Sequence, residues 1–170
     1  EYVLTQGTAA VDHYIEEVKS LGFDILEISA GFISIPVEDW LALVERAKAE
    51  GLRPKPEVGI QWGAGGATSV TELEAEGIRD PGRAIAIARK FLDAGAYQIM
   101  IESEGITENV KAWRTDVVSQ IVGALGTERV MFEAADPDVF TWYVKNYGAD
   151  VNLFVDHSQI LQLEIVRRGI

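Results

Sequence analysis

Glutamates recur at one place in the sequence pattern, at the end of short apolar segments. Glu57 ends PKPE, Glu102 ends YQIMIE and Glu133 ends VMFE, while Glu27 lies inside DILEIS. Glutamate is uncommon in a buried strand unless something binds its charge. Carboxylates that converge on one point repel each other unless a cation lies between them, and oxygen ligands suit Mg²⁺ or Mn²⁺. The pattern predicts a metal site of Glu57, Glu102 and Glu133. Glu27 fits less well because its strand continues past it.

Each glutamate also has a structural interpretation, since any one of them could pair with an arginine or cap a neighbouring helix. The matching positions of the whole set favour the metal site. A cation held there would stabilise the enolate or carboxylate of a substrate.

Lys55 lies two residues before Glu57. Side chains two residues apart on a strand point to the same face. A lysine beside a carboxylate can donate a proton to a reacting group, or it can form a structural ion pair. Both interpretations stay open, and Lys55 and Glu57 are the candidate catalytic residues.

Further residues near the predicted strand ends are candidates for binding a substrate. The sequence GAGG follows Glu57 and would offer the backbone amides of Gly63, Gly65 and Gly66 to an anion. The alternative is a lid or an ordinary surface loop. Asn152 lies in the fifth apolar segment, and His157 follows it, where it could contact a phosphate or carry a proton.

The elements that must position these residues alternate between strands and helices. Helical periodicity separates five short apolar segments, at 24–29, 52–58, 97–102, 129–133 and 151–155. The alternation predicts right-handed crossovers and a parallel sheet, whose strands all end on one side. An open doubly wound sheet and part of an eight-stranded barrel both fit. The glycine loop lacks the full dinucleotide-binding spacing, which disfavours the first.

Composition narrows the function classes. The 170 residues suffice for one domain, and 15 basic against 27 acidic residues leave a net charge of −12. Such a surface repels nucleic acid and anionic membranes, so neither is an expected partner. No apolar run is long enough for a membrane span and no leader is visible. Cysteine is absent, which excludes thiolate chemistry. We therefore predict a cytoplasmic protein.

An ordered set of segments resembles the phosphosulfolactate synthase family, which includes plant heat-stress-associated homologues. The segments are LGFDILEIS, PEVG, LDAGAYQIMIE, RVMFEAA, VNLF and LEIVRRGI, between about Gly7 and Ile170. The resemblance implies a (β/α)8 TIM barrel and magnesium-dependent addition of sulfite to phosphoenolpyruvate, on the route to coenzyme M. Because five strands cannot close an eight-stranded barrel, we expect an incomplete barrel. Residues 1–170 would form one α/β domain, the C-terminal two-thirds of the barrel.

The sequence departs from the family pattern at three places. Ile60 and Gln61 stand where lysines commonly follow EVG, and Ala30 replaces an aspartate. The segment 103–105, Ser-Glu-Gly, stands where an arginine-containing segment is usual. Two anionic substrates need cations, so we expect Lys55, Lys111 or Arg114 to compensate, and Arg114 joins the substrate-binding candidates.

The leading hypothesis is a magnesium-dependent lyase or synthase that adds sulfite or a related nucleophile to phosphoenolpyruvate. One alternative is a non-catalytic family member that binds a small anion or a partner protein during stress. Another is a different enolate reaction on the same scaffold. We expect the three glutamates and Lys55 to face one cavity with Asn152 on its wall. The loop 59–68 would lie over its mouth or be disordered. Upstream strands or a second copy of the chain would fill the gap in the sheet.

Overall fold

The computed structural model of the protein describes residues 6–7, 9–29, 35–60 and 80–170. Within these ranges one parallel sheet has the strand order β1-β2-β3-β4-β5. The strands are β1 Ile25–Ile28, β2 Arg53–Val58, β3 Ile99–Ile101, β4 Val130–Glu133 and β5 Leu153–Phe154. Each strand pairs with the next one along the chain, which is the order that a (β/α) barrel requires.

Helices connect the strands and pack on one side of the sheet. They are α1 Ala10–Ser20, α2 Val37–Ala49, α3 Gly82–Ala94, α4 Thr115–Leu125, α5 Pro137–Tyr147 and α6 Ile160–Arg168. Short 3₁₀ helices at Thr127–Arg129 and His157–Gln159 precede β4 and α6. The sheet and its helices form a half-barrel, which confirms the prediction of an incomplete α/β barrel. Within the described ranges, no helix combines the length and apolarity needed to cross a membrane.

Alternating side chains of the strands divide between the two faces of the sheet. Ile99, Ile101, Val130 and Phe132 are all at most 2% exposed, and they face the helices. They pack in the main core with Phe91, Val117, Ile121, Phe140 and Tyr143. The intervening side chains must therefore point to the inner face of the half-barrel, which is where the polar residues of the strands lie.

Local sequence explains where several elements begin and end. Asp136 caps α5, since its carboxylate accepts the backbone N–H of Asp138 at 2.8 Å and Pro137 occupies the first turn. Gly95 ends α3 with a φ of 100°, a left-handed conformation that glycine adopts without a steric penalty.

Two local features of the backbone shape elements beside the inner face of the sheet. Residues 103–108 form turns and Asn109 has a φ of 54°, so α4 begins only at Thr115. Pro54 and Pro56 lie inside β2 although proline cannot donate to a sheet ladder. Pro54 contributes as an acceptor, since its carbonyl receives the N–H of Tyr97 at 2.8 Å.

Candidate metal centre at the carboxyl ends of the strands

Three glutamates converge at the carboxyl ends of adjacent strands. Glu57 lies near the end of β2, Glu102 directly follows β3 and Glu133 ends β4. One carboxylate oxygen from each lies within 4.8 Å of the others. The convergence follows from the topology, because neighbouring parallel strands end on the same side and these residues share the inner face. The structure thus brings together the three residues that the sequence singles out as metal ligands.

The three carboxyl groups are withdrawn from water. Glu102 is 4% exposed, and Glu57 and Glu133 are partly buried. Burial is the main cause that raises the pKa of each group, and mutual repulsion adds to it. Burial and a hydrogen bond with Glu102 raise the pKa of Glu133 to about 7. Burial and the repulsion between such close carboxylates thus favour the neutral form of each group.

A turn after β3 supports the cluster from behind. The backbone N–H of Glu104 donates to Glu102 Oε1 at 3.1 Å, and the N–H of Ser103 donates to Glu133 Oε2 at 3.4 Å. Ser103 Oγ lies 2.6 Å from Glu108 Oε2 and 3.2 Å from Glu133 Oε2. Sequence reasoning missed Ser103 and Glu108 as site residues. Their one available signal was the dense polar stretch that follows the strand, ESEGITE.

Lys55 lies on the same face as Glu57, one layer deeper in the half-barrel. Its Nζ is 3.2 Å from Glu27 Oε2, 3.6 Å from Met131 Sδ and 5.6 Å from the ring centre of Phe154. At 9% exposure, the lysine is one of the few buried charged residues. Lys55 thus forms a structural ion pair, with Glu27 as its partner. Proton donation by Lys55 stays a prediction.

Asn152 does not join the cluster. Its side-chain amide donates to the carbonyl of Thr127 at 3.1 Å, in the 3₁₀ turn that precedes β4. Asn152 itself precedes β5, so its side chain serves the amino-terminal side of the sheet. We expected Asn152 on the wall of the site. It lies elsewhere because it stands at the start of its strand and not at the end.

Two of the other substrate-binding candidates, Arg114 and His157, lie within the described residues. Arg114 is engaged by Asp116 in a two-pronged pair at 2.8 and 2.9 Å. That pair raises the pKa of Arg114 and lowers the pKa of Asp116. His157 is 92% exposed, with Nδ1 3.4 Å from Asp156 Oδ1. Gly63, Gly65 and Gly66 lie outside the described residues, as does most of the loop predicted to cover the mouth. Ile60 is buried in the main core.

A cavity of about 490 Å³ opens beside Glu133. Its walls come from the ends of β4 and β5 and from the start of α6, and they include Phe154, Val155, Asp156, His157 and Ile160. The cavity therefore adjoins the glutamate cluster through one shared residue and has room for a small organic molecule.

The donor set of the cluster fits a divalent oxygen-seeking cation. Carboxylate oxygens are the ligands that Mg²⁺ and Mn²⁺ prefer, and three of them close together need a positive charge. Among the ion pairs of the described residues, none engages Glu57, Glu102 or Glu133 with a lysine or arginine. A cation would be held by these three glutamates, with water or substrate oxygens completing its coordination.

The raised pKa values predict how pH affects stability. A carboxyl whose folded-state pKa exceeds the unfolded value stabilises the fold below the unfolded pKa, and this contribution is lost as pH rises through the folded pKa. For Glu133 that window runs from 4.5 to about 7. After a discount for partial exposure, we expect the metal-free protein to lose roughly 2 kcal/mol of unfolding free energy between pH 5 and 8.

Urea denaturation across this pH range, in chelator, measures that loss. The matched variant Glu133→Gln cannot ionise at this position and should show a much flatter dependence. A wild-type stability that rises steadily from pH 5 to 8 would contradict the raised pKa.

The chain is similar to one protein family and to curated proteins from a plant and an archaeon. The family model described as (2R)-phospho-3-sulfolactate synthase matches residues 1–170. The chain is 37% identical to "Protein HEAT-STRESS-ASSOCIATED 32" of Arabidopsis thaliana, over 98% of this chain and 62% of the relative. It is 29% identical to the phosphosulfolactate synthase of Methanothermobacter thermautotrophicus, over 94% of this chain and 61% of that one. The chain thus spans about three-fifths of the length of these curated relatives.

Proposed function

The chain belongs to the (2R)-phospho-3-sulfolactate synthase family, and we propose from that premise that it is a magnesium-dependent lyase or synthase. It would act on phosphoenolpyruvate or a related carboxylate and add sulfite or a related nucleophile. The observation that carries the proposal is the cluster of three glutamate oxygens within 4.8 Å of one another. When bound, the cation would supply Lewis-acid stabilisation of negative charge that develops on a substrate oxygen.

The residues of the chain have separate tasks in this proposal. Glu57, Glu102 and Glu133 would hold the cation next to the substrate. Addition forms a bond between the nucleophile and one alkene carbon, and the electron pair of the double bond passes to the adjacent carbon. Lys55 is proposed to deliver the proton that this second carbon takes up. Its burial on the face that carries Glu57 supports that role.

The cavity beside Glu133 is the proposed place for the organic part of a substrate. It shares Glu133 with the cluster, and Phe154 and Ile160 give it apolar walls. His157, on its rim, could donate a hydrogen bond to an oxygen of the bound molecule.

We expect His157→Ala to raise KM by about 2- to 10-fold, the worth of one ordinary hydrogen bond, and to leave kcat nearly unchanged. Steady-state kinetics measures both constants. His13→Ala, on the exposed side of α1, is the matched control. A large fall in kcat with unchanged KM would instead place His157 in the chemical step.

A second candidate function is a different reaction, or binding without reaction, at the same site. Among the described residues that line the cavity there is no lysine or arginine, and Glu133 and Asp156 are acidic. Arg114, expected to compensate, is already paired with Asp116. Sulfite and phosphoenolpyruvate are both anions, so this charge balance favours a less anionic reactant. The relative that is 37% identical carries a name that refers to heat stress and not to a reaction.

Turnover of sulfite and phosphoenolpyruvate by the full-length protein, with and without a chelator, tests the proposed function. We expect product only when Mg²⁺ is present. Calorimetry with Mg²⁺ and phosphoenolpyruvate separates the candidates, because binding without turnover across several nucleophiles would favour the second. Full activity in metal-free buffer would overturn the metal proposal.

A further inference from the structure

We infer that Ser103, held by Glu108, is a positioning residue that keeps Glu102 and Glu133 aimed at the bound cation. The inference depends on the proposed metal centre and extends it to the layer behind the ligands. Residues in that layer orient metal ligands, and changing them weakens metal binding although they do not touch the ion.

Ser103 contacts both ligands from one side. Its Oγ lies 3.2 Å from Glu133 Oε2 and 3.4 Å from Glu102 Oε1, and its backbone N–H reaches the same oxygen of Glu133. One residue thus contacts both carboxylates, from the turn that follows β3.

The backbone of Ser103 is itself well anchored. Its carbonyl accepts the N–H groups of Ile106, Thr107 and Glu108 at 3.0, 3.0 and 3.1 Å, so the following turn wraps around it. The residue is only 3% exposed. A serine with so little freedom is suited to holding other groups in place, because little further entropy is lost when it does so.

Glu108 fixes the direction of the hydroxyl. The 2.6 Å contact between Ser103 Oγ and Glu108 Oε2 is the shortest that this hydroxyl makes. A hydroxyl has one hydrogen and two lone pairs. Only one carboxylate can accept that hydrogen at a time. When Glu108 accepts it, the hydrogen bond fixes the turn whose backbone N–H groups, from Ser103 and Glu104, donate to Glu133 and Glu102. Glu108 also adds a negative charge close to a site meant for a cation.

Metal affinity, measured by calorimetric titration of the full-length protein with Mn²⁺, tests the inference without an activity assay. We expect Ser103→Ala to weaken Mn²⁺ binding by about 10- to 100-fold. Ser103→Thr, which keeps the hydroxyl, should recover most of the affinity. Ser119→Ala is the matched control, because Ser119 is an exposed serine on α4 that contacts Tyr147.

A pair of variants at Glu108 keeps the test decisive if position 103 tolerates no change. Glu108→Ala and Glu108→Gln both remove the charge, but only the glutamine can still hydrogen-bond to Ser103. We expect the alanine variant to bind Mn²⁺ about fivefold more weakly than the glutamine variant, as the loss of one hydrogen bond implies. Thermal denaturation of each variant establishes that it is folded.

The outcomes separate this inference from the proposed function. If the wild-type protein binds no Mn²⁺, the metal centre itself is wrong. If the wild type binds but Ser103→Ala binds within twofold of it, or the two Glu108 variants bind equally, the positioning role is overturned while the metal centre stands.

Discussion

Glu102→Gln is expected to abolish metal-dependent turnover and to weaken divalent-cation binding by at least about a hundredfold. This loss is larger than the one expected from substitutions of Ser103 or Glu108, which do not touch the cation. The substitution preserves size and can keep the hydrogen bond from the backbone of Glu104, which lies at 3.1 Å. The substitution removes one of the three negative charges that would hold the cation. Glu102 is also the most buried of the three ligands, so water cannot easily replace its oxygen.

The same variant should be more stable than the wild type when metal is absent. Burial and repulsion disfavour the charged form of Glu102, so a neutral amide there should raise the unfolding free energy by about 1 kcal/mol at pH 8. Calorimetric titration and urea denaturation measure the two effects. Glu128→Gln, in the 3₁₀ turn before β4, is an exposed control that should change neither. Loss of activity together with loss of stability would indicate a structural role instead.

Lys55→Met is expected to lower kcat by about 10²- to 10⁴-fold, the usual contribution of a positioned general acid. Metal affinity should stay equal or become tighter, because the variant removes a positive charge from the neighbourhood of the cluster. Glu27, left without its partner, has a side chain that is 41% exposed, so water can solvate it. The fold should therefore survive the substitution.

Single-turnover kinetics at saturating metal and substrate isolates this effect from binding. Lys90→Met, at an exposed position on α3, is the matched control. A variant that keeps wild-type kcat but unfolds more readily would leave Lys55 as a structural partner of Glu27. The metal proposal would be unaffected by that result.

The sequence predicted the position of the glutamate cluster for a clear physical reason. Strand period and chain direction together determine which residues share the inner face at the carboxyl end of a parallel sheet. Glu57, Glu102 and Glu133 each stand at such a position, so their convergence follows from topology alone. The same reasoning placed Lys55 on the face of Glu57, because the two residues are separated by a single intervening residue.

The supporting residues could not be predicted in this way. Ser103 and Glu108 reach the cluster through a turn in which Asn109 has a positive φ. From sequence alone, the residues from Glu108 onward are equally compatible with the start of a helix. The side chain of Asn152 bonds to a turn 25 residues away. Such contacts depend on three-dimensional packing that periodicity does not encode. The ion pair between Lys55 and Glu27 was one of two open interpretations, and it forms because the register of β1 and β2 sets the two residues side by side.

Glu57, Glu102 and Glu133 are proposed to bind one divalent cation. The most direct measurement is anomalous diffraction from crystals of the full-length protein soaked in Mn²⁺. We predict a single strong anomalous peak within bonding distance of one oxygen from each glutamate. It should lie where these oxygens come within 4.8 Å of one another. No peak at that place at millimolar Mn²⁺, in a protein whose turnover also survives chelation, would contradict the account.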